Sequence, residues 1–168
     1  DRVICVMSGN YVQRGEPAIV TKWARAEMAL ASGVDLVIEL PSVFAMSSAE
    51  YFAFGAVKIL DSLGIIDNIC FGSESGSLAE LDEIAEIFSN EPDQYKVILK
   101  QCLATGISYP AAREQALSAY FEKGCRHGAS KHYSEMLGNS NNILGIEYLK
   151  ALKKLNSNIC PASIGRVS

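Results

Sequence analysis

The chain has 168 residues, 49% of them hydrophobic, and its 15 basic and 19 acidic residues leave a net charge of −4. That length is about one domain and that composition supplies a packed core, which excludes a disordered chain. The charge balance excludes binding of nucleic acid by bulk positive charge, so an RNA partner needs a local basic patch.

No apolar run approaches the roughly 20 residues that cross a bilayer, and the first residues carry no basic segment and no small-residue cleavage site. A cytoplasmic protein with no membrane partner is expected. The chain enters a strand pattern at once and stops just after another, so both ends are expected to be cut from something longer. Five cysteines, Cys5, Cys70, Cys102, Cys125 and Cys160, are odd in number and form no CxxC pair. Neither a disulfide framework nor a zinc site is indicated. Cys5, Cys70 and Cys160 sit in apolar runs, where a thiol behaves as a small hydrophobe.

The run from Val3 to Met7 is apolar and β-branched, as a strand buried on both faces of a parallel sheet reads. The polar loop from Ser8 to Ala18 follows. From Thr21 the pattern turns helical, with Trp23, Ala26 and Leu30 at helical spacing, until Gly33 ends it. Asp35 to Leu40 is a second strand, stopped by Pro41. A helix from about Ser48 to Leu63 places Phe52, Ala56, Ile59 and Leu63 on one face, with Gly64 as its C-terminal signal. Asn68 to Gly72 is a third strand. Strand and helix in alternation is the signature of βαβ units, whose sheets are parallel.

Ser77 and Glu80 form a capping-box pattern that opens an acidic helix to about Ser89, and Pro92 opens another that ends near Gly106. A further helix runs from Ala111 to Phe121. Residues 124–133, dense in cations and glycine without periodicity, read as a loop. A helix from about Asn142 to Leu155 carries Leu144, Tyr148 and Leu152, and 159–167 is a last extended segment. The expected fold is one Rossmann-like α/β domain over 1–168. Its mainly parallel sheet takes all four extended segments, and a helical insertion covers about 77–158.

Ligands of open parallel sheets bind outside the carboxyl ends of the strands. After the first strand come Ser8, Gly9, Asn10, Gln13 and Arg14, where glycine permits close backbone approach and Arg14 offers a fork for carboxylate or phosphate. An ordinary solvated loop has the same composition. After the third strand, Gly72 lets a ribose or base pack on bare backbone, or simply turns the chain. The pair Asn141 and Asn142 stands where a helix begins, as an N-cap or as part of a phosphate seat. Arg166 ends the last extended segment, where a cation neutralises phosphate or faces water. His127 and His132 have no ligand set around them, so no metal site is expected. Glu39, Glu50 and Glu74 lie near strand ends or helix starts, and capping or solvation explains them as well as a base role does. The Walker A, GxGxxG, GxSxG and HExxH patterns are absent.

Long words of the sequence resemble one family. Val6 to Ala18, Lys22 to Leu30 and Asp35 to Pro41 are similar to segments of the bacterial tRNA(Met) cytidine acetate ligases. So, in the same order, are Phe71 to Glu74, Ile107 to Arg113, Asn141 to Leu149 and Pro161 to Arg166. The resemblance covers essentially the whole chain. It implies a nucleotidyltransferase-type domain that uses ATP to activate acetate as acetyl-adenylate and acetylates N4 of the wobble cytidine of elongator tRNA(Met). The implied partners are ATP, acetate and that tRNA, with no DNA. It implies ATP contacts at Gly72, Asn142 and Arg166, and it sets a strand with an HxGH-type loop before Val3 and a tRNA-binding part beyond Arg166. Lys123, Arg126 and Lys131, in or beside the cationic stretch, are candidate tRNA contacts. Two other readings stay open: a small-molecule nucleotidyltransferase on the same fold, and a nucleotide-binding module without turnover.

Overall fold

The computed structural model describes residues 2–123 and 129–165, with the side chains at 129–132 outside that description. Strand β1 (Ile4–Ser8) leads through helix α1 (Lys22–Ala31) to strand β2 (Leu36–Leu40), which lies parallel to β1 with Ile4 opposite Leu36 and Ser8 opposite Leu40. Thr21 starts α1 by accepting a hydrogen bond from the Ala24 amide at 3.3 Å, and Gly33, at φ +102°, turns the chain beyond it. Pro41 opens the one-turn helix α2 (Ser42–Ala45). Helix α3 (Ala49–Leu63) ends where the sequence says it should, at Gly64 with φ +66°. Its buried face is Ala53, Ala56, Val57 and Leu60, so Leu63 is left exposed.

Strand β3 (Asn68–Ser73) alternates strictly, with Ile69, Phe71 and Ser73 buried and Asn68, Cys70 and Gly72 exposed. A period of two is how a strand covered on one face reads. The cover is α3 together with α8 (Ser140–Leu155), which pack against each other. Gly145 in α8 is what lets Phe71 in: a Cβ there would stand 2.8 Å from the Phe71 ring. Strand β4 (Cys160–Gly165) runs parallel to β3, with Cys70 opposite Ala162, Gly72 opposite Ile164 and Ser73 opposite Gly165.

The four strands do not form the single sheet expected. Among the described residues they make two parallel two-stranded sheets, β1 with β2 and β3 with β4. A groove of about 730 Å³ lies between β1 and β3, and no ladder joins them among the described residues. The thiols follow from the same layout, because Cys70 and Cys160 lie on the uncovered face and are exposed while Cys5 is half-buried.

Between β3 and β4 the chain is helical: α4 (Leu78–Asn90), α5 (Asp93–Ala104), α6 (Tyr109–Lys123), α7 (Ala129–Leu137) and α8. Ser77 caps α4 by accepting from the Glu80 amide at 3.4 Å, as the capping-box pattern requires. The main core joins these helices to β3 through Leu81, Ile84, Tyr95, Leu117, Ile146 and Leu149, all nearly inaccessible. The loop expected over 124–133 is corrected in part, because α7 already begins at Ala129. Burial anchors it: Tyr133 stacks on Phe121 with ring centres 4.1 Å apart, and Met136 is buried one turn on. Among the described residues no helix is long and apolar enough to cross a membrane.

Candidate nucleotide-binding site

The loop after β1 is tied at its base. Arg25 of α1 donates to the Gly9 carbonyl at 2.8 Å, and the Glu39 carboxylate fills the space where a Cβ of residue 9 would stand. Lys22 holds the other oxygen of Glu39 at 2.7 Å. Beyond Gly9 the chain folds back on itself through a bridge between Tyr11 and Pro17, and Gly15 takes φ +76° at the turn. Gly9 is buried, Ser8 and Gln13 are half-buried, and Asn10 and Arg14 are exposed. Glu39 is thus a brace for this loop. Glu50 lies 3.7 Å from Lys150 on another surface.

At the end of β3, Gly72 faces away from the helices, and a Cβ there would meet nothing within 4 Å. A flat ligand can therefore lie on bare backbone, with Ile164 of β4 beside it in register. Immediately beyond, the turn of Glu74 and Ser75 is locked to the start of α8 from both directions. Asn142 Oδ1 accepts from the Glu74 amide at 2.9 Å and from the Ser75 amide at 3.2 Å, while its Nδ2 donates to the Met136 carbonyl at 3.2 Å. In return the Glu74 carboxylate accepts from the Asn142 amide at 2.9 Å, from the Asn141 amide at 3.3 Å and from Asn141 Nδ2 at 2.8 Å.

This reciprocal lock decides two readings left open by the sequence. The N-cap of α8 is Asn139, so neither Asn141 nor Asn142 plays that part. The anion seat at the α8 N-terminus is already filled by the chain's own Glu74 carboxylate. Asn142 is 1% exposed and spends its side chain inside the protein. Asn141, by contrast, lines the groove between β1 and β3 together with Gly72 and Tyr148.

Burial raises the Glu74 carboxyl, but its several hydrogen bonds outweigh that, and its pKa lies below the ordinary glutamate value. A carboxyl lowered on folding contributes stability that is full above its unfolded pKa and is lost as the pH falls through the folded one. Glu74→Gln is therefore expected to flatten the acid limb of the stability profile, as read from urea midpoints between neutral pH and pH 4. Removing the other half, Asn142→Ala, strands two amides and a carbonyl. A loss of about 1–3 kcal/mol follows from leaving buried polar groups unpaired, and urea unfolding checks it.

Across the groove, burial pushes the Tyr148 phenol up to about 12, with Cys5 adding to the rise, and its ring lies 5.5 Å from that of Phe71. Neither is an acid or base at neutral pH. Arg166 and Arg126 lie outside the described residues, as does the side chain of Lys131. Lys123 is the exposed last residue of α6. His127 and the His132 side chain also fall outside, and among the described residues no three His, Cys, Asp or Glu side chains gather as metal ligands.

In a parallel α/β layout the carboxyl end of a strand, here the tip of β3, is where ligands bind. The family model for the HIGH Nucleotidyl Transferase matches residues 1–168, and the chain belongs to that family. Within it the likeness is specific. The chain is 57% identical over 168 residues to a tRNA(Met) cytidine acetate ligase of Acetivibrio thermocellus, covering 100% of this chain and 39% of the relative. It is 55% identical over 166 residues to that of Clostridium novyi, covering 99% and 40%. Among solved structures it is similar to Thermotoga maritima TmcAL bound with alpha-thio ATP, at 46% identity and a TM-score of 0.94 over 100% of this chain and 40% of that one. The resemblance read from the sequence words and the α/β fold class are both borne out. The chain spans about two fifths of the length of the relatives it matches.

Proposed function

We propose that this chain is the nucleotide-binding part of an ATP-dependent tRNA(Met) cytidine acetate ligase, an enzyme that activates acetate as acetyl-adenylate and acetylates N4 of the wobble cytidine of elongator tRNA(Met). The observation that carries the reading is the likeness to an ATP-analogue-bound TmcAL over the whole chain, combined with an open Gly72 backbone beside a hydrogen-bonded strand tip. Gly72 takes the ribose or base. Asn142 shapes that contact through the Glu74 turn, and Asn141 faces the same groove. Arg166 is the phosphate clamp.

The chemistry needs this arrangement because a cytosine amine is a weak nucleophile and acetate a poor acyl donor. Acetate attacks the α-phosphate in line and pyrophosphate leaves; the cytidine N4 then attacks the acetyl carbonyl and AMP departs. Positioning and charge stabilisation supply most of the rate. The braced loop bearing Asn10, Gln13 and Arg14 offers donors for acetate or phosphate. The wobble base must leave its stack to react, as single-stranded loop bases do on proteins, with Lys123, Arg126 and Lys131 as backbone contacts.

The test is incubation of the full-length protein with ATP, labelled acetate and tRNA(Met), then digestion of the RNA and a search for N4-acetylcytidine. Acetate-dependent release of pyrophosphate without tRNA separates this enzyme from a transferase that moves AMP to a small-molecule phosphate. Absence of both products overturns the proposal.

A further inference from the structure

Asn141 carries an uncommitted hydrogen-bond acceptor at the β3 tip. Its side chain is half-buried and lines the groove with Gly72, Leu144 and Tyr148. Its Nδ2 donates to Glu74 Oε1 at 2.8 Å, and its backbone amide donates to the same oxygen at 3.3 Å. Backbone and side chain of one residue thus converge on one carboxylate oxygen, which pins the carboxamide. Asn141 Oδ1, by contrast, accepts no hydrogen bond among the described residues. The neighbouring Asn142 has nothing comparable to offer a ligand: its Oδ1 takes two amides, its Nδ2 donates to Met136, and its side chain is buried.

The charge on Glu74 decides which end of the Asn141 amide is free. Burial raises the Glu74 carboxyl, its hydrogen bonds outweigh that, and it is ionised at neutral pH. A carboxylate only accepts, so the nitrogen of Asn141 must face it. Turned over, the amide would set its oxygen against a charged oxygen. The free end is therefore the acceptor. Few other polar side chains in the groove compete for that role. Asp67 and Asn68 stand at the opposite end of β3, Arg2 is paired with Asp35 at 2.7 Å, and Tyr148 lies two turns further along α8.

We propose that Glu74 is a positioning residue that sets nucleoside specificity, holding the Asn141 carboxamide so that Oδ1 receives a donor of the nucleotide seated at Gly72. This rests on the nucleotide-binding reading and deepens it, because the ligand must offer an N–H or O–H at that point. The adenine N6 amine and a ribose hydroxyl share this chemistry. A site that hydrogen-bonds such a group rejects the analogue lacking it, since its own polar atom is then left unpaired.

The experiment titrates the full-length protein calorimetrically, without acetate or tRNA, with ATP and with analogues that each lack one donor: purine riboside triphosphate, 2′-deoxy-ATP and 3′-deoxy-ATP. One analogue is expected to bind about tenfold or more below ATP in affinity. Weak binding of the purine analogue identifies the amine as the partner, and weak binding of a deoxy analogue identifies the hydroxyl. Asn141→Ala should shrink that ratio to about threefold or less, because the acceptor is gone. Glu74→Gln should shrink it as well, since a neutral amide can face Asn141 with either end while two backbone amides compete for its one oxygen. A purely structural Glu74 would lower the unfolding midpoint in Glu74→Gln but leave the ratio at its wild-type value, which overturns the proposal. So does a wild type that binds every analogue like ATP, or an Asn141→Ala variant that keeps the ratio. Absence of ATP binding overturns the nucleotide reading and this proposal with it, whereas ATP binding with an unaltered ratio overturns this proposal alone.

Discussion

Glu147→Leu is expected to lower the free energy of unfolding by about 3–5 kcal/mol, the range for removing one partner of a buried ion pair. The carboxylate is 2% exposed and accepts three hydrogen bonds, two from Arg113 and one from Lys150. Leucine leaves both cations in place with no buried acceptor, and their side chains, 18% and 16% exposed, reach water only at their fringes. The access that remains places the loss nearer the lower end. Urea unfolding followed by circular dichroism measures it. Adding Arg113→Met should recover part of the loss, because an apolar pair of similar volume removes the stranded charge. A single-variant loss under about 1 kcal/mol would mean that water screens the network.

That network also shows where sequence reading stops. Glu147 and Lys150 stand three apart in a helix, the spacing of any solvated surface pair, and nothing local says that α6 will bring Arg113 onto the same carboxylate. The same holds for the lock at the strand tip. The Phe71 to Glu74 word and the Asn141 and Asn142 pair are both visible, and both were placed at the ends of the right elements. That Glu74 reaches across 68 positions to the Asn142 amide is a tertiary fact. Local signals did better where one residue decides the outcome: Gly64 ends α3 and Ser77 opens α4, since a left-handed turn and a capping oxygen need no distant partner. The segment 124–133 misled because its last residues, from Ala129, are helical, and Tyr133 becomes an anchor only against Phe121. The single sheet was expected from strand order alone, which carries no information on whether two neighbouring edges meet.

On the proposed function, Arg166→Ala in the full-length protein is expected to slow acetyl-adenylate formation by a factor of about 100 to 1,000, measured without tRNA as acetate-dependent pyrophosphate release. The factor corresponds to the roughly 2.7–4 kcal/mol typically lost when one preorganised donor to a developing negative charge is removed. Arg166 directly follows Gly165, which is level with Ser73 at the tip of β3, one residue past the open Gly72 backbone. A guanidinium serving that tip acts in the first half-reaction, where charge builds on the departing pyrophosphate. It should therefore depress adenylate formation at least as strongly as overall acetylation. Lysine at this position should restore only part of the rate, since an ammonium supplies charge without the two-pronged geometry. Arg126→Ala is the contrasting variant: it should spare adenylate formation, weaken tRNA binding and reduce the steepness of its salt dependence by about one phosphate contact. Were Arg166→Ala instead to leave adenylate formation intact while losing tRNA, Arg166 would be an RNA contact, and the phosphates of ATP would have to be held from the braced loop after β1, where Arg14 is the exposed cation.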